Sequence, residues 1–263
     1  MIIVTLTTIP SRLPHLNKVI SAIQNQSMKP DSIQLYLPRE YSKRSLGKID
    51  PSKLPEGVEI VWVDSDLGPA TKILPATAKY INQPDTKLIY CDDDKIYDPK
   101  WIERLVKKSE AHPKACIVEN GWNLKSRLHK IYWHKRPLLY KTIRLLSLGR
   151  FKAGAISDGS IQIAEGCGGV LVKPYFFSKE TFEIPDILWS VDDVWLSGWL
   201  AINKIKIVKT DKSKSEGGRD LVINNQSIGR LESLYNYVYS GANRLDADEK
   251  CITYMQKIYS IWN

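Results

Sequence analysis

Three consecutive aspartates, Asp92, Asp93 and Asp94, follow the apolar run Leu88–Cys91. Adjacent carboxylates repel, so a fold that keeps three of them must set donors or positive charge against them. A turn whose Asp side chains cap backbone amides does this. So does a hard divalent cation, which prefers oxygen ligands. In an extended segment residues i and i+2 point the same way. Asp92 and Asp94 are therefore the expected ligands of a Mn2+ or Mg2+ ion, with Asp93 pointing elsewhere. Such ions are commonly held by one or two carboxylates, with substrate phosphates completing the shell. That favours a metal arriving with a nucleoside diphosphate over a closed structural cage. A second acidic pair, Asp192 and Asp193, precedes the Trp-rich stretch 194–202. Helix capping explains one of these residues more readily than both.

The elements that must position these groups follow from periodicity. Strands are expected at Ile2–Thr7, Ser32–Leu37, Val58–Val63, Lys87–Cys91 and Ala115–Val118. Helices are expected at Leu16–Gln24, at Ala70–Tyr80 with a bend or break at Pro75, and at Pro99–Glu110 with Asp98 as cap. This alternation indicates a mostly parallel α/β sheet. Ligands of such sheets bind beyond the carboxyl ends of the strands, where Asp92–Asp94 lie. The second half reads less regularly. Strands Ser160–Ala164 and Gly169–Val172 flank the glycine-rich "EGCGG". A helix Val194–Ile202 and a strand Lys204–Lys209 follow, then a loop Thr210–Asn225 and C-terminal helices Leu231–Tyr239 and Asp246–Ile261. A single domain is the economical reading, with a nucleotide-type first half, residues 1–98, and an irregular second half, residues 99–263.

A short apolar strand ending in D-x-D, in an α/β chain of this length, resembles the GT-A glycosyltransferases. "TLTTIPSR" and "DSDLGPATK" (Asp64–Lys72) are similar to segments of bacterial members. "SVDDVWLSGWL" (Ser190–Leu200) resembles the acidic-pair motif of inverting members, and "EGCGGVLV" (Glu165–Val172) their glycine-containing acceptor loop. The order and spacing agree over roughly residues 2–208. The resemblance implies a GT-A, Rossmann-like fold and transfer of a sugar from a UDP-sugar to a hydroxyl of a bacterial surface glycan. It implies Asp193 as general base and Asp192 as its neighbour at the donor. Thr8, Pro10 and Arg12 would frame the base. Asp66 and Lys72 would reach uracil, ribose or phosphates, beside Asp92 and Asp93. The departure from the pattern is a C-terminal metal-ligating His: all four histidines lie at or before His134. Asp211 or another oxygen is the expected replacement, unless the D-x-D and the diphosphate hold the metal alone. Lys212, Lys214 and Arg219 are expected to close over the phosphates. Glu165 is the next candidate base. Rival readings are a retaining transferase, a nucleotidyltransferase, or a non-catalytic basic binding module.

The chain has 263 residues and a formal net charge of +9. Nine Lys or Arg and no Asp or Glu fall between Trp122 and Lys152, which leaves 29 basic residues elsewhere to match 29 acidic ones. The excess thus resides in one aromatic-rich segment. An anionic membrane surface is its expected partner, which suits a lipid-linked glycan acceptor; a solvated helical insertion and nucleic-acid binding are the alternatives, the last without a recognised module. No apolar run approaches the roughly 18 residues of a membrane span. The N-terminus lacks the marks of a signal peptide. The four cysteines are widely spaced and form no CxxC pair. The expected location is the cytoplasm, peripheral on the inner face of its membrane.

Overall fold

The computed structural model describes residues 1–153, 159–213, 217–230 and 244–263. Its first half alternates β1 (Ile2–Leu6), α1 (Leu16–Gln24), β2 (Ser32–Pro38), β3 (Glu59–Val63), α2 (Leu74–Lys79), β4 (Lys87–Tyr90), β5 (Lys95–Ile96), α3 (Trp101–Ala111) and β6 (Cys116–Val118). Then come β7 (Gly121–Trp122), α4 (Leu124–His134), α5 (Pro137–Leu146), β8 (Ile163–Ala164), β9 (Val170–Val172), α6 (Asp192–Ile202) and β10 (Ile207–Lys209). Short strands β11 (Arg219–Asp220), β12 (Val222–Ile223) and β13 (Gln226–Ser227) precede α7 (Arg244–Tyr259).

Among the described residues the main sheet has seven strands in the order β10-β6-β9-β4-β1-β2-β3. β9 runs antiparallel to both β4 and β6, while the other neighbours are parallel. Parallel strands under helices on both faces must be apolar on both sides, and pleat alternation sorts their residues. Ile3, Leu88, Tyr90, Val118 and Val170 pack on the face covered by α2, α6 and α7. Val4, Leu6, Ile89, Ile117 and Leu171 pack on the face covered by α1 and α3. The mixed α/β architecture with a mostly parallel sheet is the one expected.

Several boundaries differ from expectation for local reasons. Residues 70–80 divide at Ile73 into a 3-10 turn, Gly68–Lys72, and α2, with Pro75 in the first turn of α2, where it forfeits no helical bond. α3 starts at Trp101, and its N-cap position is Lys100; Asp98 accepts instead from the Lys100 amide at 3.0 Å and from Arg104 Nη1 at 2.8 Å. The expected loop 210–225 contains β11, which pairs with β5, and β12, which pairs with β13. The expected helix 231–239 lies outside the described residues, whereas α7 covers most of the other C-terminal helix.

The carboxyl ends of β1, β2, β3 and β4 all reach one edge of the sheet. Because β9 is antiparallel, its amino end reaches that edge too, bringing the glycine turn 165–169 to the carboxyl end of β4.

Candidate active site

A cleft of about 400 Å³ opens at this edge. Its floor is the chain leaving β4. Asp93 and Asp94 sit in a turn, not in extended backbone, so Asp92 parts from the other two carboxylates. Asp93 is buried, accepting from Thr8 Oγ1 at 2.6 Å and Arg12 Nη1 at 2.7 Å. Asp94 shares the same guanidinium nitrogen at 3.4 Å, and Arg12 Nη2 donates to the Gly229 carbonyl at 3.0 Å. Asp92 turns the other way and accepts from Lys72 Nζ at 2.8 Å.

Lys72 links the two acidic clusters. Its side chain is only 5% exposed, and its ammonium lies 2.8 Å from Asp92 Oδ1 and 3.0 Å from Asp192 Oδ2. Burial opposes that charge, but Asp192, Asp92 and Asp193 outweigh it and hold Lys72 well above the ordinary lysine value. Burial alone would push Asp92 up; the Lys72 charge and hydrogen bond hold it below the usual carboxylate range. Asp94 has only the longer 3.4 Å contact to Arg12. Burial, then Asp92 and Asp93, push it up to about 7, and its Oδ1 is buried without a hydrogen-bond partner.

The second acidic pair opens α6. Val191 occupies the N-cap position, and no side chain caps it, so Asp192 and Asp193 are first-turn residues facing the cleft. Asp193 Oδ1 accepts from the Gly166 amide at 3.0 Å. Burial, then the neighbouring Asp192, push Asp193 up to about 8. Gly166 lets the turn come this close: a Cβ there would sit 2.6 Å from Lys72 Nζ. Gly169, at φ +87°, presses on the Trp101 indole, which donates to the Gly168 carbonyl at 2.9 Å. Trp101 and Tyr97, stacked at 4.1 Å between ring centroids, thus support the turn from below.

No family model and no curated protein matches the chain. Solved structures similar to it include two proteins. A Mycobacterium tuberculosis glucosyl-3-phosphoglycerate synthase bound to UDP is 14% identical, with 100% of this chain and 81% of that one covered, at a TM-score of 0.48. The same synthase with Mn2+, UDP and glucosyl-3-phosphoglycerate is 15% identical over 89% of this chain and 75% of that one, at a TM-score of 0.47. Residues 1–349 of S. aureus TarS are 10% identical over 82% of this chain and 58% of that one, at a TM-score of 0.45.

Of the residues singled out in the sequence, Thr8, Arg12, Asp66, Lys72, Asp92, Asp93, Asp94, Asp192 and Asp193 line the cleft. Several have other neighbours than expected. Thr8 and Arg12 are engaged by Asp93. Lys72 is buried between carboxylates. Asp66 accepts from the Gly68 amide at 2.9 Å and the Ser42 amide at 2.9 Å, pinning the segment after β2. Pro10, Lys212 and Arg219 are not on the cleft wall. Pro10 belongs to the turn entering a 3-10 helix at Leu13–His15. Lys212 lies 3.9 Å from Glu119, and Arg219 is on exposed strand β11. Asp211, the expected substitute ligand, pairs with Lys108 at 2.7 Å on α3. Lys214 lies outside the described residues. Glu165 is off the wall as well; burial raises its carboxyl, with Arg127 acting against the rise.

The sequence reading missed Tyr41, Arg44 and Trp189, which also line the cleft. Tyr41 Oη donates to the Thr8 carbonyl at 2.8 Å, and Trp189 Nε1 donates to the Asp66 carbonyl at 3.3 Å. The long aperiodic stretch 39–50 was the available signal, since long loops in compact domains are commonly functional. The C-terminal group reaching the aspartates is Gly229, carried by a segment that hydrogen-bonds the Asp94 carbonyl through the Leu221 amide at 2.8 Å.

Proposed function

We propose that the chain is an inverting, metal-dependent glycosyltransferase that moves a sugar from a UDP-sugar to a hydroxyl of a bacterial surface glycan, with a lipid-linked acceptor met at the cytoplasmic face of the membrane. One observation carries the reading. Two acidic clusters far apart in sequence, Asp92–Asp94 and Asp192–Asp193, meet in one cleft with a buried lysine between them. In this reading residues 1–98 bind the nucleotide-sugar, and the remainder supplies the acceptor side of a single domain.

The donor set fits a divalent ion. Asp94 Oδ1 is buried and unpartnered, and the Asp92 side chain is 30% exposed while Lys72 engages its Oδ1. No three carboxylate, imidazole or thiolate groups converge on a metal position among the described residues. That suits an ion held by one or two carboxylates and completed by phosphate oxygens. Mn2+ or Mg2+ bound there would stabilise the negative charge of the departing diphosphate as a Lewis acid. Arg12 and Lys72 hold the carboxylates in place. Tyr41 and Trp189 offer rings for the nucleobase, and Arg44 offers a cation for the phosphates. Asp193 takes the proton of the acceptor hydroxyl as its oxygen bonds to the anomeric carbon and the bond to the diphosphate breaks. Attack from the face opposite the leaving group inverts the anomeric centre.

Two outcomes test this directly. Asp94→Asn preserves shape but removes the unpartnered anionic oxygen. Calorimetry with UDP and Mn2+ should show an affinity loss beyond the roughly 10–100-fold typical when an outer-shell partner of a metal is removed, with an unchanged circular dichroism spectrum. UDP affinity equal to wild type in the presence of Mn2+ rejects the metal assignment. The second outcome is a pH profile. A base works only when ionised, so with Asp193 near 8 the transfer rate should rise about tenfold per pH unit below 8 and level off above it. A rate flat from pH 6 to 8 at saturating donor would show that the rate does not follow an Asp193 ionisation near 8. An unchanged anomeric configuration in the product would indicate a retaining enzyme.

A further inference from the structure

Helix α5 buries none of its side chains. Tyr140, Ile143 and Ser147 are partly covered and share one side of the helix and its exit. Tyr140 meets Trp133 and Phe151 at ring-centroid separations of 6.2 and 6.1 Å. Leu138 and Leu145 lie opposite, Leu139 and Leu146 on the adjoining flank, and Leu148 just beyond, at exposures from 46% to 85%. Leu138 and Leu145, like Leu139 and Leu146, are seven residues apart and so lie along one face. Single exposed leucines are ordinary; five on one short ridge mark an interaction surface.

The charges beside the ridge indicate the partner. No acidic residue occurs from 122 to 152. On the α4 side, Arg127 pairs with Asp248, Lys135 pairs with Glu249, and Arg136 lies over the Tyr132 ring at 3.8 Å. Lys141 and Arg144 are exposed and, with Leu145 and Leu148, line a shallow groove at the ridge's edge. The geometry points to α5 as a reversible docking element for an anionic bilayer. The leucines enter the boundary between headgroups and acyl chains, while Lys141 and Arg144 meet lipid phosphates. A second copy of the chain is the poorer occupant, because it would bring the exposed Lys141 and Arg144 of two copies together. This surface is independent of the sugar-transfer reading.

The test is co-sedimentation of the full chain with vesicles of phosphatidylglycerol and phosphatidylcholine, and with phosphatidylcholine alone. Binding to the anionic vesicles is expected to fall at least about tenfold without phosphatidylglycerol, and to weaken as salt shortens the screening length to about 8 Å. L145Q/L146Q should cost about tenfold or more, and K141Q/R144Q should reduce both binding and its salt dependence. Both variants should bind UDP as the wild type does, since none of these residues lines the cleft. Equal vesicle binding by wild type and L145Q/L146Q overturns the proposal, as does no binding of wild type to anionic vesicles. So does a concentration-dependent dimer, seen by sedimentation velocity, that L145Q/L146Q dissolves while vesicle binding persists.

Discussion

Asp193→Asn is expected to leave UDP and Mn2+ binding intact and to lower the transfer rate at saturating donor by at least about a hundredfold. The amide keeps the size of the carboxylate, and its oxygen can still accept from the Gly166 amide, so the glycine turn stays in place. It cannot take a proton from the acceptor at neutral pH. Saturating donor makes kcat report the step after binding. Asp192→Asn should act differently. Its Oδ2 lies against Lys72, 3.0 Å away, so its loss should disturb the donor side and Lys72 more than proton transfer. If the Asp192 variant loses kcat and the Asp193 variant keeps it, the two roles are exchanged. If both stay active, the base lies elsewhere.

Lys72→Met is expected to reduce both folding stability and donor binding. Breaking a buried ion pair by removing one partner costs about 3–5 kcal/mol. The lower end applies here, because Asp92 is 30% exposed and water can partly take over. Urea unfolding read by tryptophan fluorescence measures the loss. The pH dependence has a definite sign. Asp92 is held below its ordinary value, so the pairing contributes fully above the unfolded carboxylate value of about 3.9 and is lost as pH falls through the folded one. The deficit of Lys72→Met should therefore be present at pH 7 and fade in acid. Adding Asp192→Asn to Lys72→Met should recover part of the stability, since one unpaired carboxylate is then removed. Single and double variants of equal stability would show that Lys72 and Asp192 do not interact.

The sheet was legible because its strands are short apolar runs separated by turn residues and helical periods. The D-x-D and the acidic pair were legible because they end a strand and begin a helix. What each carboxylate touches was not. Treating 92–94 as extended placed Asp92 and Asp94 on one face, but the turn at Asp93 and Asp94 splits the three between Lys72 and Arg12. Lys72 was expected to reach the nucleotide; its burial between Asp92 and Asp192 was not legible, because the 3-10 turn and the break at Ile73, which aim it inward, are tertiary features. Lys212 and Arg219 were taken toward the cleft because a long polar loop shows no direction of its own. Residues 217–220 are instead drawn to β5 and the turn before α3: Asp98 accepts from the Gly217 amide at 2.7 Å, and Arg219 pairs with Ile96.

The antiparallel strand β9 has a consequence for synthesis. It fills the slot between β4 and β6, yet the chain runs from Tyr90 to Val170 before β9 begins. A nascent chain that has emerged as far as residue 153 has made both flanking strands and not the one that joins them. Their apolar edges are open to wrong pairing until Val170–Val172 arrives, and such non-local pairing is slow. A fragment ending before Val170 is therefore a poor folding unit prone to aggregate. The same strand carries Gly166–Gly169 to the aspartates, so the event that joins the two parts of the sheet also brings the glycine turn to the cleft. Partly folded chains then lack an assembled cleft.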